Sequence, residues 1–244
     1  MNPSKKVTSF TAQTAENALR RHAESKCAKS CKRFFKMGPG EYAQKDIFIG
    51  VTVPQTRKIA LIFRALPLRQ IEKLVSSPVH EVRLLGLVIL VHRFSSGGPK
   101  EQKKIADCYL LNLRHVNNWD LVDLTADKIL GATLFKKNKK LLFRLARSPR
   151  LWDRRIAMIA TFYFIKNRKY NETFRLAKLF LKDPHDLMHK ATGWMLREIG
   201  KRDLAAEERF LRRYAHRMPR TALRYAIERF PRDKRAAYLM RGRK

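Results

Sequence analysis

Pro149, Pro184 and Pro219 stand 35 residues apart, and each opens a stretch whose apolar residues recur at i, i+3, i+4 and i+7. That regularity constrains the fold more than any other property of the chain. Proline is tolerated in the first turn of a helix, where its missing N–H has no partner to lose, so each is expected at or near a helix start. Pro78 opens a comparable stretch, and Asn118, a good capping residue, marks the start between, 40 residues after Pro78 and 31 before Pro149. Five helices thus share one phase. A second helix is expected between successive members, over Lys100–Arg114, Asn138–Arg147, Asn171–Leu181 and Leu204–His216. Helix pairs at a period of 31 to 40 residues predict an α-solenoid, in which each pair buries its apolar face against its neighbours. The expected fold is therefore an all-α, HEAT-like helical-repeat superhelix, with one helix of each pair lining a basic concave groove.

The rest of the chain fits this frame. Extra helices are expected over Thr8–Phe35, followed by a loop through Met37, Gly38, Pro39 and Gly40. The only β-like run is Ile47–Val51, and Pro54 stops it early. With 244 residues, 45% of them hydrophobic, the chain can bury a sizeable core. We expect a single domain over residues 1–244, in which 1–50 cap the stack and 51–240 form the helix pairs.

Charge narrows the choice of partner. Lys and Arg total 54 against 21 Asp and Glu, a formal net charge of +33. Such a chain needs a polyanion, and neutralising nucleic-acid phosphates releases counterions, which makes association strong and salt-dependent. An anionic membrane is the rival, but Arg83, His92 and Arg93 bracket the longest apolar stretch, Leu84–Val91, well short of the ~18 residues that spanning requires. The basic residues are also dispersed along the whole chain. Met1–Lys6 is polar and basic with no apolar stretch behind it, so a cytoplasmic, nucleoid-associated protein without a secretory signal is expected. Cys27, Cys31 and Cys108 cannot all pair. Cys27 and Cys31 lie one helical turn apart near His22, yet no second ligand pair follows, so idle thiols and no metal are expected.

Five positions past each repeat start stand Arg83, Asp123, Arg154, His189 and Arg224. One reading is a structural ladder, in which Asp123 pairs with Arg83 or Arg154. The other is a groove-lining row, in which the basic members and Lys190 meet DNA phosphates and Asp123 is the exception that needs a reason. A carboxylate weakens phosphate binding, but it is useful where positive charge develops. Breaking a purine N-glycosidic bond makes the sugar oxocarbenium-like, and carboxylates stabilise such species in glycoside hydrolysis. Trp119 lies four residues before Asp123 on the same helix face, either as an aromatic platform for sugar or base or as a core anchor. Asp120 suits a first-turn capping role, and Asp127 a solvated or paired one. Packing is expected for Trp152. Trp194 follows Gly193 in mid-helix, where glycine costs ~1 kcal/mol against alanine, so close approach of a helix or a nucleic acid is expected there. By position alone, core packing outranks ligand contact for Trp194. No GxxxxGK[ST], GxGxxG, GxSxG or HExxH motif is present, which removes support for ATP, dinucleotide, serine-hydrolase and zinc-protease readings. The seven histidines are scattered.

These residues also carry a resemblance. Phe48-Ile49-Gly50-Val51 with Val53-Pro54, His80-Glu81-Val82-Arg83-Leu84-Leu85, Asn118-Trp119-Asp120-Leu121-Val122-Asp123, Leu151-Trp152-Asp153-Arg154-Arg155 and His189 to Glu198 follow in an order and spacing similar to the DNA alkylation repair family of AlkD-like HEAT-repeat glycosylases. The resemblance runs from about Phe48 to Phe230. It implies a monofunctional glycosylase that removes cationic alkylpurines, such as 3-methyladenine and 7-methylguanine, from double-stranded DNA without a base-flipping pocket. It implies no cofactor, and a monomer is expected. By the same resemblance Asp123 is the catalytic aspartate, Trp119 and Trp194 pack against deoxyribose near the lesion, and Arg155 is the groove arginine, where the repeat register points instead to Arg154. The DNA-backbone set is Arg83, Arg154, His189, Lys190 and Arg224. The sequence departs from the family where an aromatic often precedes the motif tryptophan, since Asn118 stands there. The alternative functions are a non-catalytic binder of damaged or branched DNA with this fold, and a scaffold for an acidic protein.

Overall fold

A computed structural model describes residues 10–240, except the side chains of Lys32 and Arg33; Met1–Lys6 and the expected helix start at Thr8 lie outside the described residues. Among the described residues every regular element is helical, as the periodicity requires. The chain forms two compact units, Met1–Thr125 and Ala126–Lys244.

The first unit contains α1 (Ala12–Arg20), α2 (Ser25–Phe34), α3 (Val53–Ile62), α4 (Leu68–Val75), α5 (His80–Ser96), α6 (Pro99–Leu111) and α7 (Trp119–Thr125). Helix α5 is its centre, packed against α3, α4, α6 and α7. The reason is compositional: Val82–Leu90 is apolar all round save Arg83, so the helix buries every face rather than one stripe. Thr11 and Thr52 start α1 and α3 with reciprocal capping boxes.

The second unit opens with a π turn, Asp127–Gly131, and continues through α8 (Ala132–Phe135), α9 (Lys140–Ala146), α10 (Leu151–Lys166), α11 (Asn171–Leu179), α12 (Asp186–Gly200), α13 (Leu204–Tyr214), α14 (Arg220–Ala226) and α15 (Arg232–Met240). Helix α10 packs on α9, α11 and α12, and α12 packs in turn on α13 and α14. The five helices expected in one phase are α5, α7, α10, α12 and α14, and the four expected between them are α6, α9, α11 and α13. No helix among the described residues is long and apolar enough to cross a membrane.

Two local expectations are made specific. Pro78, Pro149 and Pro184 sit before the cap residues Val79, Arg150 and His185 rather than in the first turn, and Pro219 is itself the cap of α14. Here proline acts by terminating the preceding turn in an extended conformation. The run Ile47–Val51 is not a strand: it makes one isolated bridge, from Ile47 to Val79. The carboxylate of Glu81 instead gathers the N–H groups of Ile49 (3.1 Å), Gly50 (2.7 Å) and Val51 (3.3 Å), with Gly50 at φ +82°.

Gly193 resolves to a helix contact. A Cβ there would stand 2.3 Å from the Ala222 carbonyl oxygen of α14 and 2.5 Å from Tyr225 Cβ. Gly131 meets α10 in the same way, 2.3 Å from the Ala160 oxygen and 2.8 Å from Tyr163 Cβ.

Candidate active site

Asn118, Trp119, Asp120 and Asp123 belong to the start of α7, and a buried polar network fixes that start. His80, at the first position of α5, is 1% exposed and lies between two carboxylates, with Nε2 2.8 Å from Asp120 Oδ2 and Nδ1 3.4 Å from Asp46 Oδ2. Arg83 Nη2 donates to the other oxygen of Asp46 at 2.5 Å, and Asn118 Nδ2 donates to Asp46 Oδ2 at 3.0 Å. Burial by itself would lower the pKa of His80, but Asp120 and then Asp46 outweigh it and push the imidazole up to about 9. Burial likewise acts to raise the pKa of Asp46, and hydrogen bonding from His80 with the Arg83 charge holds it below the usual carboxylate range. At neutral pH His80 is therefore an imidazolium beside an ionised Asp46.

A cluster of rings gathers on the same histidine, which touches both Phe48 and Phe35, the latter at 5.1 Å between centroids and 45° between planes. His80 stacks on Phe48 (4.4 Å between centroids, 23° between planes), Phe48 on Phe35 (4.6 Å, 23°) and Phe35 on Trp119 (5.4 Å, 21°). Phe34, 65% exposed, meets Trp119 edge-on at 5.5 Å. Trp119 and Asp123 are both half-buried.

Asp120 lies in the first turn of α7 as the sequence indicates, where its Oδ1 accepts from the Leu121 N–H at 2.9 Å, and its other oxygen is the partner of His80. The amide of Asn118, fully buried, anchors α7 to Asp46 while its oxygen accepts from the Trp119 N–H at 2.8 Å. Asp46, His80 and the phenylalanines were not singled out as site residues. The motif around His80 was visible, but its partners lie 34 and 40 residues away.

The polar row resolves into a repeated structural device. Arg83 Nη1 donates to the carbonyls of Ser77 and Pro78, both at 3.0 Å, and Arg154 Nη1 to those of Ser148 (3.2 Å) and Pro149 (2.8 Å). His189 Nε2 donates to the Asp183 carbonyl at 2.6 Å. Each side chain satisfies carbonyls of the proline turn before its own helix, which no helical N–H reaches. Arg83 is also 3% exposed, and Arg154 pairs with Asp183 at 2.7 Å, so neither is displayed as a free phosphate contact. Arg155 is 5% exposed and donates to the Leu187 carbonyl at 2.5 Å. Lys190 pairs with Asp186 one turn back at 2.8 Å, and Arg224 is exposed. Asp127 is paired with Lys166 at 2.7 Å.

In the second unit Trp194 is half-buried beside Phe162 (6.0 Å), with its indole N–H 3.3 Å from Glu198 Oε1. Trp152 is half-buried as well. Cys108 is buried and its thiol pushed up to about 12, first by burial; Cys31 reaches about 11, by burial and then the neighbouring Cys27.

No curated protein sequence matches the chain. The solved structure of a "predicted DNA alkylation repair enzyme from Enterococcus faecalis" superposes with a TM-score of 0.69 at 15% identity, covering 86% of this chain and 98% of that one. At that identity the likeness concerns the fold. The family description "DNA alkylation repair enzyme" matches residues 15–230, a span that takes in α7, the buried network beneath it and the proline-turn helices on either side, so the chain belongs to the DNA alkylation repair enzyme family.

Proposed function

We propose that the chain is a monofunctional DNA glycosylase that removes cationic alkylpurines, 3-methyladenine and 7-methylguanine, from duplex DNA, with Asp123 as its electrostatic catalyst. The observation that carries this reading is the exception in the polar row. Where Arg83, Arg154 and His189 place nitrogen donors that close a proline turn, Asp123 places a carboxylate, which cannot donate, after a turn that lacks proline. The donor role that the repeat gives this position is one a carboxylate does not fill. A carboxylate four residues beyond a half-buried tryptophan suits an oxocarbenium-like sugar.

The chemistry is light. The alkylated purine already carries positive charge, so the C1′–N bond breaks with both electrons passing to the base, which leaves neutral. Asp123 stabilises the sugar cation and orients water, which adds to C1′ and gives up a proton. No cofactor is needed. Trp119 offers a ring face to the deoxyribose, and Trp194 and Arg155 join it as sugar-contact candidates through the family resemblance. Lys190 and Arg224 are the backbone-contact candidates, whereas Arg83, Arg154 and His189 are committed to their proline turns.

Incubation with methylated genomic DNA, followed by mass-spectrometric quantification of freed bases, tests the reading. The wild type should release 3-methyladenine and 7-methylguanine, and Asp123→Asn should release them about 10²–10³-fold more slowly while binding DNA at least as tightly. A wild type that binds the DNA and frees no base would leave a non-catalytic binder of damaged or branched DNA.

A further inference from the structure

We propose that His80 is a positioning residue for Trp119: held between Asp46 and Asp120 and packed on Phe48 and Phe35, the ring that stacks on Trp119, it fixes the plane of the tryptophan ring and the first turn of α7. The inference deepens the glycosylase reading and rests on it only where base release is measured.

Two independent tethers converge on one side chain. The first is the ring cluster: Phe35 packs against His80 directly (5.1 Å, 45°) and through Phe48, and its other contact is a stack on Trp119 (5.4 Å, 21°). The second is covalent neighbourhood. Asp120, directly after Trp119, accepts from His80 Nε2, and Asn118, directly before it, donates to Asp46, which faces His80 Nδ1. A tryptophan at the start of a seven-residue helix has little helical structure of its own to hold it. Here both flanking residues are tied to the His80–Asp46 pair against which the ring cluster packs.

The arrangement is costly for mere stability. Burying two carboxylates, an imidazolium and a guanidinium requires desolvating all four, and well-packed apolar residues often stabilise such sites as well or better. What ionic and hydrogen-bonded geometry adds is a single orientation. Orientation matters to this chemistry, because a displacement of about 1 Å costs roughly 10²-fold in rate.

The test labels the protein with 5-fluorotryptophan, whose three fluorine resonances are assigned to Trp119, Trp152 and Trp194 by single Trp→Phe variants. Asp120→Ala cuts the bond from His80 to α7. It should move or broaden the Trp119 resonance and leave the other two in place, with the duplex-DNA Kd within about twofold and single-turnover base release down roughly 10²-fold. Asp120→Asn, whose side-chain oxygen still accepts from His80 Nε2–H, should restore both the resonance and most of the rate. His80→Gln gives the same readout should Asp120→Ala not fold. The proposal is overturned if the cut leaves the Trp119 resonance where it was, if all three resonances move together, or if the asparagine behaves like the alanine. A wild type that frees no base defeats the glycosylase reading alone, since the resonances are read without turnover.

Discussion

Arg83 and Arg224 share a register in their repeats and differ in everything that follows from burial. Arg83 is 3% exposed and bound to Asp46 and two carbonyls, whereas Arg224 is exposed. Replacing Arg83 by alanine leaves Asp46 buried without its guanidinium, and urea unfolding should show a loss of about 3–5 kcal/mol. The salt dependence of DNA binding by the folded fraction should not change. Arg224→Ala should do the reverse, with stability held within about 0.5 kcal/mol and the log–log salt slope reduced by about 1. At this scale the sequence was informative about residue types and silent about partners. The spacing of Trp119 and Asp123 on one helix face could be read directly. That His80 meets Asp46 and Asp120 could not, because those contacts join positions 34 and 40 residues apart.

Among the elements, four prolines and Asn118 marked the five helices of one phase, each standing at or directly before the helix start. The prolines stand outside α5, α10 and α12 because an X-Pro pair ends the preceding segment more readily than it begins the next. The carbonyls of these turns then need donors, which is why a basic or imidazole side chain recurs at the same depth in α5, α10 and α12. The β-like run Ile47–Val51 forms no strand, in keeping with the all-α reading: its β-branched composition resembles one, but the N–H groups of Ile49, Gly50 and Val51 are taken by Glu81 from α5. Close helix approach at Gly193 gives a prediction of its own. Alanine would gain ~1 kcal/mol of helix propensity, yet its Cβ would lie 2.3 Å from a backbone oxygen that can move only with α14. Thermal unfolding of Gly193→Ala should show a net loss of about 1–2 kcal/mol.

For the molecule as a whole, a formal charge of +33 survives a fold in which several arginines and lysines are tied to carboxylates. If the proposed partner is duplex DNA, neutralising about five phosphates gives a log–log slope near −4.5, so affinity measured by filter binding should fall about 10²–10³-fold between 50 and 200 mM salt. A flat dependence would exclude a phosphate-led interface and favour an acidic protein partner read through specific contacts.

The sequence by itself determined the all-helical class, the phase of the helices and the motifs of the family, because helical periodicity, proline turns and short motifs are properties of contiguous residues. Tertiary structure decided which of the polar side chains close the proline turns of the scaffold. Arg83, Arg154 and Asp123 occupy equivalent places in their repeats, and only packing reveals that the two arginines close their own proline turns while the tryptophan before Asp123 stands on rings drawn from α2, α5 and the loop before α3. A residue's role depends on the neighbours that folding brings to it, and those neighbours come from distant parts of the chain.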